Sequence, residues 1–273
     1  MKKTLIAAAV AAACAAPAFA QEAAPASPHT LTANVGVVSD YLFRGISQTK
    51  GAPAIQGGVD YSHASGFYVG TWLSSISWVS DAQGGSYPTE IDVYGGYKNS
   101  FAEDFNYDVG VISYNYPGSG RDKTSFVAPD TVEVYGALGW KWFTVKYSHV
   151  VSQNFVGWGT AGDSSTYSKN SNYIELNGAY DLGDGWGLSA HVGHQKVKNS
   201  NDDNAPSGYN ASYTDWNVGV TKDVGFGVVG LKYSDTNANT CGDTTGGAAY
   251  CWGPNFDYNA AKGRAVLSFL KTF

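Results

Sequence analysis

From residue 30 to the last residue the chain alternates apolar and polar positions with a period of two, in about twelve segments separated by turn-forming stretches. They fall near 30–45, 53–62, 66–78, 88–98, 104–114, 130–138, 141–151, 171–181, 186–196, 211–221, 226–234 and 263–273. An extended strand sends successive side chains to opposite faces, so each segment predicts a two-faced strand. Around 91, Ile91, Val93 and Tyr97 alternate with Glu90, Asp92 and Tyr94; around 174, Ile174, Leu176 and Tyr180 alternate with Glu175, Asn177 and Asp181. Near 68–78 the phases mix, because Tyr68, Trp72 and Trp78 oppose Phe67, Val69 and Leu73, and the pattern assigns no face there.

The connections alternate in length. Short ones ("SHASG" at 62–66, "NSFAED" at 99–104, "GWK" at 139–141, "LGDG" at 182–185, "KDVG" at 222–225) take turns with mostly longer ones, the longest starting at residue 234. Strict alternation of short and long joins predicts antiparallel neighbours with one plain rim and one elaborated rim, the asymmetry of outer-membrane barrels. Sandwich cores interdigitate large aliphatic side chains. Here the apolar phase carries Ala33, Gly57, Gly95, Gly136, Gly178 and Ala190, which fill such a core poorly, while fluid lipid needs no jigsaw fit. The expected fold is therefore an all-β, antiparallel, up-and-down transmembrane β-barrel of about 12 strands. Tyr41, Phe43, Tyr61, Tyr97, Tyr147, Tyr180 and Tyr233, near segment ends, are expected in the interfacial girdles.

The start of the chain adds an address. Lys2 and Lys3 precede an apolar run from Leu5 to about Ala16, and Ala18-Phe19-Ala20 precedes Gln21, the layout of a signal peptide cleaved after residue 20. The domain plan is then a signal peptide at 1–20, a disordered periplasmic lead-in at 21–29, and one outer-membrane barrel domain at 30–273. Losing Lys2 and Lys3 moves the net charge from −6 to −8, which argues against a nucleic-acid partner. No other apolar run approaches the ~18 residues of a spanning helix. Composition agrees with strands and turns: 34 Gly, 19 Tyr, 12 Phe and 8 Trp, with a single Met. Cys241 and Cys251 are expected to form a disulfide in an oxidising compartment.

In a barrel the polar phase looks inward. The expected lumen lining is Asp40, Arg44, Asp60, Glu90, Asp92, Asp108, Glu133, Lys146, Glu175, Asp181, His191, Asp215, Lys232 and Arg264, nine acids against four firm bases. Twelve strands at ~4.8 Å spacing and ~40° tilt enclose a cylinder roughly 24 Å across, of which side chains leave ~10 Å. Such a lining either favours cations or forms an ion-pair web that closes the bore. Phe269 and the terminal Phe273, on the amphipathic last segment, resemble an assembly signal read by the barrel-assembly machinery.

No catalytic set emerges. G-x-S-x-G is absent, and Ser148 and His149 are adjacent in sequence without forming a triad. His29, His63, His149, His191 and His194 form no metal set, and Asp202 and Asp203 lack calcium-loop spacing. The chain is read as no enzyme, with no cofactor and no metal.

Over "NVGVVSDYLFRGISQT", "GGVDYSHASGFYVGTWLSSISW", "EIDVYGGY" and "GRAVLSFLKTF" the chain resembles Gcw_chp, a family of proteobacterial conserved hypothetical proteins. The resemblance runs from about residue 31 to Phe273 and implies an exported outer-membrane β protein. It carries no catalytic or ligand residues. The functional expectation is a narrow porin-like channel in the outer membrane of a Gram-negative bacterium, passing small hydrophilic solutes or cations. The alternatives are a non-conducting barrel whose external loops bind a ligand or surface partner, and a barrel-embedded lipid hydrolase.

Overall fold

A computed structural model describes residues 27–124, 126–200, 210–239, 241, 249–253 and 257–273. The signal peptide, most of the lead-in and the Asp202–Asp203 loop lie outside the described residues. Twelve strands close into one antiparallel barrel. We label them β1 (His29–Val38), β2 (Ala54–His63), β3 (Phe67–Ser75), β4 (Thr89–Ala102), β5 (Phe105–Asn115), β6 (Thr131–Trp140), β7 (Phe143–Val150), β8 (Asn172–Gly183), β9 (Trp186–Lys196), β10 (Tyr213–Asp223), β11 (Val228–Thr236) and β12 (Arg264–Thr272). Every strand pairs with its sequence neighbour, and β1 pairs with β12, from Asn34 opposite Thr272 to Val38 opposite Ser268. Closure gives every strand a hydrogen-bonded neighbour on both sides, which is what a lipid environment demands of a sheet.

Alternation in burial follows alternation in sequence. Ile55, Val93 and Tyr233 are 61%, 50% and 42% exposed, while their neighbours Gln56, Asp92 and Ser234 are buried at 9%, 6% and 2%. An apolar residue exposed beside a buried polar one inverts the soluble-protein rule and defines a transmembrane barrel. The mixed segment near 68–78 resolves the same way: Phe67, Val69 and Leu73 are exposed, whereas Tyr68 is half-buried and Trp72 is buried, and the strand ends at Ser75. Trp78 begins a short helix, α1 (Trp78–Gln83), in the following loop.

One rim carries only tight turns. At β8–β9 the turn is Asp184-Gly185, with φ of 52° and 75°, the left-handed pair that a two-residue hairpin requires. This rim bears the denser aromatic belt, with Phe67 on Tyr97, Trp142 on Tyr180, and Phe226 on Phe269. Tyr147 and Tyr233 face outward nearer the other rim. All the long connections leave from that second rim, where buried side chains of several loops pack together.

One expectation fails here. The segment near 30–45 is not a single strand: β1 ends at Val38, and Leu42–Phe43 pairs with Ile46–Ser47 in a separate small hairpin. Tyr41 is 4% exposed and Phe43 packs against buried loop side chains, so neither belongs to the girdle. Alternation persists through 40–44 because the hairpin is itself extended; nothing local marks the change of direction. Cys241 and Cys251 are joined by a disulfide.

Candidate functional site: an inward hairpin and a tyrosine-lined bore

The first long loop folds back into the barrel, and its tip is held by both backbone and side chain. Arg44 and Gly45 occupy the turn between Phe43 and Ile46 with φ of 47° and 80°. This is a two-residue turn of the kind that favours Asn-Gly, and glycine suits the second position. Arg44 does not suit the first: left-handed backbone costs a non-glycine residue roughly 1–2 kcal/mol. Gly45 is further fixed by contact, since a Cβ there would sit 2.5 Å from Thr236 Cγ2 on β11 and 2.9 Å from Asp215 Cβ on β10. The tip therefore packs against the inner face of β10 and β11.

What offsets the strain at Arg44 is its side chain. The guanidinium donates from Nη2 to Glu133 Oε2 at 2.7 Å, and from Nη1 to Glu133 Oε1 at 3.0 Å and to Gln195 Oε1 at 2.6 Å. Gln195 is aimed by donating its own Nε2 to the Asn172 carbonyl. Three rings surround the cation, with centroids at 4.2 Å (Tyr173), 4.8 Å (Phe43) and 5.6 Å (Phe155). Glu133 and Gln195 are both fully buried. Burial opposes the charge on Arg44, but Glu133, together with Tyr114 and Tyr173, holds the guanidinium above its ordinary range.

The base of the hairpin is anchored separately. Asp40 accepts from Ser47 Oγ at 2.7 Å and Thr49 Oγ1 at 2.9 Å, and pairs with Arg264 of β12 at 2.7 Å. Tyr41 donates to Glu90 on β4 at 3.0 Å and meets Trp72 of β3 edge-on. Burial, then Glu90, pushes the Tyr41 hydroxyl well above its usual value, so it remains a donor. Glu90 and Asp92, two apart on one face of β4, each keep one oxygen without a hydrogen-bond partner.

Towards the tight-turn rim, carboxylates are met by tyrosines. Tyr94 donates to Asp60 at 2.6 Å; Tyr68 donates to Asp108 at 2.6 Å and its hydroxyl also bonds that of Tyr135. Lys98 lies over Tyr68 and Lys146 over Tyr135, at 5.0 and 4.3 Å from the ring centroids. His191 sits between Glu175 and Asp215, at 3.5 and 3.0 Å, and Tyr173 donates to Asp215 at 2.7 Å. Tyr173 fits because the diagonal position on the neighbouring strand is a glycine: a Cβ on Gly193 would fall within contact distance of its hydroxyl. Lys232 is half-buried in the inward phase of β11, and Asp181, near the tight-turn rim, accepts from the Gly183 amide at 2.8 Å.

Asp60, Glu90, Asp92, Asp108, Glu133, Lys146, Glu175, His191 and Asp215 fall in the phase opposite the exposed apolar residues, whereas Asp181 is exposed at the tight-turn rim. Asp40 and Arg44 belong to the hairpin rather than to a strand face. Tyr94 lies in the polar phase with Glu90 and Asp92, as the alternation predicts; Lys98, Tyr135 and Tyr173 are not singled out by the sequence, although Lys98 shares the phase of Asp92, Tyr135 that of Glu133, and Tyr173 that of Glu175. Phase relative to a carboxylate was the available signal; tyrosine's mixed polarity hid it. Ser148 is buried, while His149 lies in the opposite phase and contacts Tyr147 Oη, so these two do not converge. Among the described residues no cluster of three potential metal ligands occurs.

A closed twelve-stranded barrel, apolar outside and charged within, is a porin-type fold. One solved structure shares this fold. The KdgM porin in complex with disordered oligogalacturonate aligns over 89% of this chain and 99% of its own, with TM-score 0.51 and 8% identity. The NanC porin aligns over 89% and 98% with TM-score 0.48 and 11% identity, and OprD of Pseudomonas aeruginosa over 92% and 67% with TM-score 0.42 and 11% identity. Among curated proteins none matches the sequence. The chain belongs to the Gcw_chp family, described as bacterial protein of unknown function, whose model matches residues 22–261.

Proposed function

We propose that the protein is an outer-membrane channel for small hydrophilic solutes, with a preference for cations, whose bore is narrowed by the Arg44 hairpin. The observation that carries this reading is the closed wall lined with ionic and hydroxyl groups. A purely structural barrel has no need of a half-buried Lys146, Glu175 and His191 inside it. The inward set from Asp40 to Arg264 serves as the lumen lining, and the excess of carboxylates over bases favours cations. The polypeptide is exported by the cleaved leader at 1–20 and crosses the outer membrane of a Gram-negative bacterium. Phe269 and Phe273 act as the signal for the barrel-assembly machinery; deleting Phe273 tests this through loss of folded barrel from outer-membrane fractions.

Single-channel recording in planar bilayers with a salt gradient tests the main reading. Cation-selective steps are expected; a silent barrel under every potential rejects it. The hairpin itself favours a second reading, a sealed barrel that acts through its external loops. Persistent silence of a variant lacking Arg44 would select that alternative.

A further inference from the structure

Arg44 is held as a bound ligand is held. Its fork meets both oxygens of one carboxylate, a third acceptor is fixed by its own second bond, and an aromatic face lies beneath. The three receptor residues come from three different strands, β6, β8 and β9, and none of them comes from the hairpin. They are buried at 0% (Glu133), 0% (Gln195) and 2% (Tyr173) exposure, so the pocket is a built one. Bidentate carboxylate geometry with ring stacking is specific to a planar guanidinium and poorly matched to an ammonium.

We propose that the Glu133–Gln195–Tyr173 pocket is a guanidinium receptor, filled in this structure by the protein's own Arg44, and that a solute carrying a guanidinium group competes for it. A tethered ligand enjoys an effective concentration of roughly millimolar or more. The left-handed backbone at Arg44 opposes that advantage by about tenfold. Free guanidinium therefore competes at millimolar levels, and its binding frees the hairpin tip. The pocket stands independently of the channel reading; the consequence that a guanidinium solute opens the bore rests on it.

Arg44→Asn is the informative variant, because Asn-Gly is the preferred pair for this turn and the hairpin is retained. Full-length protein in detergent, checked for folding by heat-modifiable gel mobility, is titrated with 13C-guanidinium and binding read from its line width. Saturable submillimolar binding is expected in Arg44→Asn, at least tenfold weaker and in the millimolar range in the natural protein, and absent in Arg44→Asn combined with Glu133→Gln. Equal binding in the single and double variants, or none in either, overturns the receptor. Should Arg44→Asn fail to fold, Arg44→Lys takes its place with the same expectations. In bilayers, guanidinium chloride added on the long-loop side is expected to raise the conductance of the natural protein at least twofold over tetramethylammonium chloride. Binding without that rise overturns the competition, whereas silence of every variant in every salt rejects the channel and leaves the receptor standing.

Discussion

Arg44 and Glu133, 89 residues apart in sequence, meet at 2.7 Å with side chains only 8% and 0% exposed, and this pair joins the first loop to the sixth strand across the interior of the barrel. Removing one partner strands a buried charge, typically at a cost of about 3–5 kcal/mol. Glu133→Ala is expected to lower stability by that order, measured by urea unfolding of the protein in lipid vesicles. Arg44→Asn should lose less, because relief of backbone strain offsets part of the cost.

Conductance should respond to the same pair. With the guanidinium gone, the Arg44→Asn tip loses its hold on β6 and β9, and single-channel conductance is expected to rise at least twofold over the natural protein. An unchanged value would mean that the hairpin does not limit passage.

Tyr173 lies against Gly193, and Gly193→Ala is expected to displace the ring from both His191 and Arg44. Overpacking of this kind costs about 1–3 kcal/mol. The same urea titration checks it, and exchange of the Tyr173 ring environment should be visible by NMR.

Leu231 is 52% exposed near the middle of β11. If that face meets hydrocarbon, Leu231→Arg costs about 2–4 kcal/mol in vesicles, and Lys232→Arg, one residue along and facing inward, costs little. Equal effects at the two positions would contradict the assignment of faces.

The Cys241–Cys251 disulfide closes a ten-residue separation, for which loop-closure entropy predicts about 3 kcal/mol of local stabilisation. Reduction is expected to make the last long loop protease-sensitive while the barrel keeps its heat-modifiable mobility. Labelling of both cysteines by a thiol reagent in unreduced native protein would contradict the pairing.

Much of this architecture was legible from period alone. A strand has two faces, so a two-residue alternation states which side chains share an environment, and short joins taking turns with long ones imply antiparallel neighbours and two unlike rims. That Glu90, Asp92, Glu133 and Glu175 share the phase opposite the exposed apolar residues follows from that rule, with no knowledge of their partners. Only the tertiary structure decided that 39–47 leaves the wall, since an inward hairpin is as extended as the strand it follows and keeps the same alternation. Only the tertiary structure, likewise, turned Tyr68, Trp72 and Tyr173 inward, because an aromatic ring is at home both against lipid and against a neighbour's glycine. Faces are local and repeat along the chain; the meeting of Arg44 with Glu133, Gln195 and Tyr173 depends on which strands close the ring, and a single strand's pattern carries no record of that.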